Sequence, residues 1–246
     1  MKKIRGTTAS EQLIGSRKAD YITGLDGDDM IQGNGGSDNL SGGNGSDDIR
    51  GGAGNDRISG DAGADILFGD AGNDTILGGA GNDILVGGAG NDNLVGGDDH
   101  DRLFSISGND RMNGGKGNDY YEVASGGATI TDEEGSDEYK IMAGTTVTID
   151  DKAGNDKIRF ADLDSSWTLT VEDLWFQRIG DDLVITVDGR DGETVITSFY
   201  ADDAYRIERI YDENKEASTG YNLEVDGILD MFDGEGAVWG GNIWDI

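Results

Sequence analysis

The sequence predicts an all-β repeat fold, a solenoid of short stacked strands, and three columns of residues carry that prediction. Between Gly6 and Glu122 the chain is one nonapeptide written thirteen times without insertion. A middle copy reads Gly78-Gly79-Ala80-Gly81-Asn82-Asp83-Ile84-Leu85-Val86, and it sets the numbering of the unit from 1 to 9. Position 1 is Gly in every copy except the one starting at Ser105. Position 6 is acidic throughout: Glu11, Asp20, Asp29, Asp38, Asp47, Asp56, Asp65, Asp74, Asp83, Asp92, Asp101, Asp110 and Asp119. Position 8 is apolar throughout, from Leu13 through Leu85 to Met112 and Tyr121. Compositional drift does not hold three columns in phase for so long, and a fixed period of this kind marks stacked structural units.

Taken in order, Met1-Lys2-Lys3-Ile4-Arg5 has the basic start of a signal peptide, but Gly6-Thr7-Thr8-Ala9-Ser10-Glu11 follows in place of an apolar run. Export by a cleaved leader at this end is therefore not expected. The copies starting at Gly6 and Gly15 carry Ala9 and Lys18 at position 4 and read as an imperfect N-terminal cap, as terminal repeats do. Eight copies, Gly24 to Val95, have Gly at positions 1 and 4 and Asp at 6. The next two are flawed, by Asp99 at position 4 and then by Ser105-Ile106, which leaves open a gap in the metal sites there; the copy at Gly114 is intact. From Val123 to Arg159 the pattern decays to two relics, Gly135-Ser136-Asp137-Glu138-Tyr139 and Gly154-Asn155-Asp156-Lys157-Ile158. They lie nineteen residues apart, one off a double repeat, with β-like Thr145–Ile149 between them.

Beyond Phe160, β-branched and aromatic runs at 167–171, 174–178, 183–187 and 194–199 alternate with Gly/Asp turns, which predicts antiparallel hairpins. Residues 205–211 alternate as another strand. Apolar residues at 225, 228, 229 and 232 predict a short helix within Leu223–Phe232. The chain thus divides into a repeat block, 1–122, a degenerate continuation, 123–159, and a β-rich C-terminal cap, 160–246. Trp167, Trp175, Phe176, Phe199, Tyr200 and Tyr205 are expected in the core of that cap, a sugar-binding platform being the alternative.

Composition narrows the chemistry. With 19 basic and 50 acidic residues the net charge is −31, which disfavours nucleic acid and anionic membranes and favours cations. The absence of Cys excludes disulfides and thiolate metal sites, and the single His excludes two-histidine metal motifs. His100, at position 5 of a flawed turn, is expected to face solvent. No G-x-S-x-G elbow occurs, and no catalytic role is expected. No run of 18 apolar residues is present to span a membrane.

Glycines at positions 1 and 4 permit positive φ, so carbonyl oxygens can turn toward one point, where the Asp adds a carboxylate. Such an oxygen-only set selects Ca²⁺ over transition metals. Positions 7 to 9 are expected to form a brief strand with its central residue inward. Two nonapeptides then make one 18-residue coil, and cations sit between turns n and n+2. The candidate carboxylate ligands are Asp29, Asp38, Asp47, Asp56, Asp65, Asp74, Asp83, Asp92, Asp101, Asp110 and Asp119. Main-chain candidates are Gly51, Ala53, Gly54, Gly60, Ala62, Gly63, Gly69, Ala71, Gly72, Gly78, Ala80, Gly81, Gly87, Ala89 and Gly90. Pairing of the complete copies, with some flawed or flanking ones, gives about six to ten ions.

These repeats resemble the RTX (haemolysin-type) calcium-binding family, whose unit is G-G-x-G-x-D-x-U-x, over roughly half the chain. The resemblance implies a right-handed parallel β-roll, calcium in the turns and export by a type I secretion apparatus to the extracellular space. Residues 173–185 and 205–210 resemble the flank that follows such blocks in adenylate cyclase toxin and other haemolysin-type proteins, where it caps the roll. The expected function is a monomeric calcium-binding module that is unfolded at low calcium and folds outside the cell. The alternatives are an extracellular adhesin or matrix protein, or the C-terminal part of a larger secreted toxin or enzyme.

Overall fold

Inward and outward residues alternate along each repeat in the way a half-buried strand requires. In Ile84–Ala89, Leu85 and Gly87 face inward while Ile84, Val86, Gly88 and Ala89 lie at or near the surface. The computed structural model describes residues 1–161, 174–179 and 181–197, and the backbone of 207–211, 222–224 and 238–240. Strands in the central repeats are six residues long, covering positions 7 to 9 and 1 to 3, twice the expected length. The pair at positions 1 and 2 lies inside the strand, because its first member is extended and faces the interior.

Alternate strands fall into two sheets. One begins Lys3–Arg5, Tyr21–Asp26, Asn39–Asn44 and continues to Thr146–Asp151; the other begins Gln12–Ile14, Met30–Gly35, Asp48–Ala53 and continues to Asp156–Ala161. All these pairings are parallel, and partners in the repeats are 18 residues apart: Leu85 lies beside Leu67 and Leu103, Ile76 beside Ile58 and Leu94. Two nonapeptides therefore make one coil, and about nine coils stack into a parallel β-roll. The position-8 residues form the interior, and from Ile22 to Tyr121 none is more than 1% exposed. Each such side chain contributes about 1.5–3 kcal/mol when fully buried.

The nineteen-residue spacing of the relics does not break the roll. Ile130 pairs with Ile149 and Tyr139 with Ile158, and the extra residue is absorbed in a turn at Ala143-Gly144-Thr145. There Gly144 has φ +90° and the Thr145 hydroxyl donates to the Met142 carbonyl at 2.7 Å.

The C-terminal region extends both sheets. Leu174–Ile179, Asp182–Val187 and Thr194–Ile196 form the expected antiparallel meander, and Thr194–Ile196 joins it to the roll by parallel pairing with Thr146–Asp151. Val238–Gly240 pairs on the outer edge of Leu174–Ile179. In the other sheet, Ile207–Tyr211 runs parallel to Asp156–Ala161 and antiparallel to Asn222–Glu224. The strands Tyr120–Val123 and Asp156–Ala161 run across the boundaries expected at 122/123 and 159/160. Phe176 is buried as expected, whereas strand alternation turns Trp175 outward, 40% exposed. Leu223 and Glu224 belong to a strand rather than a helix; the rest of the expected helix, the run at 167–171, and Phe199, Tyr200 and Tyr205 lie outside the described residues. Among the described residues no helix is long and apolar enough to cross a membrane.

Candidate metal sites

The position-6 aspartates turn inward at the corners between the two sheets, and each is at most 3% exposed. One carboxylate oxygen has a fixed partner. Asp65 donates its backbone N–H to Oδ1 of Asp83 at 2.8 Å, and Asp47 does the same to Asp65 at 2.7 Å. Two such ladders run up the roll. One passes from Glu11 through Asp29, Asp47, Asp65, Asp83, Asp101, Asp119 and Asp137 to Asp156. The other passes from Lys2 through Asp20, Asp38, Asp56, Asp74 and Asp92 to Asp110, ending where the next residue in register is Ala128.

The second oxygen has none. Oδ2 of Asp29, Asp38, Asp47, Asp56, Asp65, Asp74, Asp83, Asp92, Asp101, Asp119 and Asp137 is buried without a hydrogen-bond partner. A buried, unpaired carboxylate oxygen is costly unless a cation or a proton meets it.

Each orphan oxygen except that of Asp137 lies against the glycine at position 1 of its own repeat. A Cβ added at Gly78 would collide with Asp83 Oδ2 and would lie 2.6 Å from the carbonyl oxygen of Gly96, one coil on. The same pairing of carboxylate and carbonyl recurs at Gly51, Gly60 and Gly69; at Gly87 the added atom meets Asp92. Position 1 therefore needs Gly for space and not for its dihedral freedom, which corrects the expectation of positive φ there. The positive-φ residues are at positions 2 and 4, as in Gly79 (+123°) and Gly81 (+120°). At position 2 they include Leu25, Asn34, Asp61 and Asp70. Gly54, Gly63, Gly72, Gly81 and Gly90 hold this conformation at position 4. The position-3 carbonyls of Ala53, Ala62, Ala71, Ala80 and Ala89 accept hydrogen bonds of 2.8–2.9 Å from position-4 N–H groups of the preceding coil.

Burial dominates the electrostatics. It pushes Asp38, Asp83 and Asp92 up from 3.8 to about 6, and Asp65, Asp74 and Asp101 to about 7, against the opposing pull of the inter-coil N–H. Neighbouring carboxylates raise Asp65 further, through Asp83 and Asp47. A divalent cation beside these oxygens would reverse the balance, and a set made only of carboxylate and carbonyl oxygen suits Ca²⁺. The position-6 aspartates, with the main-chain oxygens beside them, are the groups that would hold it.

Two aspartates stand apart. Asp110 Oδ2 accepts a 2.6 Å hydrogen bond from the Ser105 hydroxyl, so the residue that replaces the position-1 Gly also satisfies the carboxylate. Asp20 Oδ2 accepts from the Ser16 N–H at 2.7 Å. Of the two flawed repeats, the one with Asp99 (φ +79°) keeps an orphan oxygen on Asp101, and the one with Ser105 does not. His100 is exposed as expected, and it also takes part in a ladder of position-5 side chains. Its N–H donates to Asn82 Oδ1 at 2.9 Å and its Nδ1 accepts from the Asn118 N–H at 2.6 Å.

Among the described residues, besides Asp20, four buried carboxylates are additional to the expected ligands: Asp132, Asp137, Asp151 and Asp156. The relics contain Asp137 and Asp156. Asp132 and Asp151 occupy position 1, where a Gly-based pattern gives no signal for a ligand.

No curated protein matches the chain. A family model described as RTX calcium-binding nonapeptide repeat (4 copies) matches residues 5–40, 41–76, 68–103, 87–121 and 107–130. These segments cover just over half the chain and contain ten of the eleven orphaned carboxylate oxygens, Asp137 lying beyond them. Sequence match and oxygen cradles agree: the chain belongs to the RTX calcium-binding nonapeptide repeat family.

Proposed function

We propose that this RTX module is the calcium-triggered folding element of a type I-secreted bacterial protein, disordered inside the cell and folded outside it. The observation that carries the reading is the column of buried carboxylate oxygens with no protein partner. Without cations these charges repel one another in a desolvated interior, and ordering so much glycine-rich backbone opposes folding at about 1–2 kcal/mol per residue. Calcium that binds only the folded state stabilises it by RT ln(1 + [L]/Kd) at each site, so several sites filling together act as a switch. Extracellular calcium modules bind at about 10⁻⁴–10⁻³ M, far above cytosolic calcium, which keeps the chain threadable before export. The cap that continues both sheets supports folding from the C-terminal end. In this reading the module is monomeric, performs no catalysis and works through its ions.

Circular dichroism tests the switch. In EGTA the chain should give a coil spectrum; millimolar Ca²⁺ should produce a β spectrum, and millimolar Mg²⁺, which demands a tighter octahedral shell, should not. A β-roll already folded in EGTA would overturn the proposal.

A further inference from the structure

Beyond residue 130, where the family match ends, the interior of the roll changes character. Asp132 takes position 1, which in the repeats is an inward-facing Gly, so its carboxylate enters the roll and is fully buried. Asp119, Asp132 and Asp137 each present an oxygen, all three within 4.8 Å of one another. On the adjoining position 8, Tyr121 and Tyr139 replace Leu and Ile, with their rings stacked 5.0 Å apart.

The hydrogen bonds leave this group without a donor. The Tyr121 hydroxyl accepts from the Gly114 N–H at 2.6 Å and gives its one proton to Asp132 Oδ2. The Glu134 N–H reaches the other oxygen of Asp132 at 3.2 Å. Asp119 and Asp137 spend Oδ1 on the N–H groups of Asp101 and Asp119. Their Oδ2 atoms, on side chains at least nine-tenths buried, have no partner. Three carboxylates therefore converge, two of them with an oxygen that no donor meets.

We propose that Asp119, Asp132 and Asp137 form a separate calcium site of three carboxylates, with Tyr121 holding Asp132 in place as a positioning residue. It rests on the reading that the orphan carboxylates bind calcium, but it differs from the turn sites in its third charge. Ligand charge count raises calcium affinity, so this site fills before the turn sites and organises the coils next to the cap first.

Terbium, an oxygen-seeking calcium surrogate, provides the probe, because a tyrosine bonded to a ligand sensitises its emission. Titrating the full chain with Tb³⁺ should give a first, tight step in tyrosine-sensitised emission. Asp132→Gly restores the residue the repeats carry at position 1 and should weaken that step about ten-fold or more. At calcium just sufficient to fill that first step it should remove one Ca²⁺ per chain by native mass spectrometry, whereas at millimolar calcium Asp119 and Asp137 remain as an ordinary turn site and calcium-induced β structure stays in place. Tyr121→Phe should reduce the sensitised signal and weaken the step less than Asp132→Gly does. An unchanged first step and ion count in Asp132→Gly, and equally in Asp132→Asn, would overturn the site. A chain that binds a single ion, lost in Asp132→Gly, would uphold it while refuting the turn-site reading.

Discussion

Asp83→Asn should remove one calcium ion from the folded roll and raise the calcium midpoint of folding about ten- to a hundred-fold, the worth of one charge-assisted contact. Asp110→Asn should leave both nearly unchanged. The amide keeps the shape of the carboxylate and keeps Oδ1 as acceptor for the Asp65 N–H, so inter-coil packing survives. What it replaces is the buried Oδ2 that has no partner in the protein. At Asp110 that oxygen is already held by the Ser105 hydroxyl, which can rotate to accept from the amide instead. In EGTA, Asp83→Asn relieves a desolvated charge and should not destabilise the roll. Calcium titrations of both variants, followed by circular dichroism with ion counting, check the contrast. A stabilised Asp83→Asn at every calcium concentration would show that this oxygen is not a ligand.

Acid should partly replace calcium. Burial raises Asp38, Asp83 and Asp92 from 3.8 to about 6, and Asp65, Asp74 and Asp101 to about 7, in the calcium-free roll. A carboxyl with a higher pKa folded than unfolded binds its proton more tightly in the fold. Its stabilisation is fully present below pH ~4 and is lost as pH rises through ~6 to 7. At pH 8 all six are ionised and oppose folding without metal; at pH 5 the folded chain holds their protons. Calcium-free protein should therefore gain β signal as pH falls from about 8 to about 5. With calcium the sign reverses, because protons compete for the same oxygens: the calcium midpoint should rise as pH falls over that interval, and binding near pH 6 should release protons. Circular dichroism across this range in EGTA, paired with calorimetry in buffers of different ionisation enthalpy, measures both. A calcium-free β signal that fell with acid would contradict the assignment of these carboxylates to the interior.

The roll was legible in the sequence because each coil has few choices. An apolar residue every nine, with an acidic one two places before it, suffices to set the 18-residue coil and the inward direction of Leu85 and its counterparts. The glycines were legible in place but not in role. Positive φ belongs to positions 2 and 4, where Leu25, Asn34 and Asp61 adopt it too, and position 1 is Gly because the carboxylate of Asp83 or Asp92 fills the space of a side chain. Ser105 and Asp132 illustrate what a pattern hides. Both break the position-1 column, yet one satisfies a carboxylate and the other adds one, a difference visible only once the side chains face inward. The cap was legible as hairpins from its local alternation. Its junction with the roll was not, since Val147 pairs with Thr194, 47 residues further along the chain, and no local signal encodes that pairing.

The central claim is that the buried oxygens exist to hold calcium, and counting the ions tests it most directly. Equilibrium dialysis of the folded chain against millimolar calcium, followed by elemental analysis, should give about six to ten ions per chain, falling to none as EGTA unfolds the roll. A chain that keeps its β spectrum in EGTA and retains at most one ion in calcium would contradict the account.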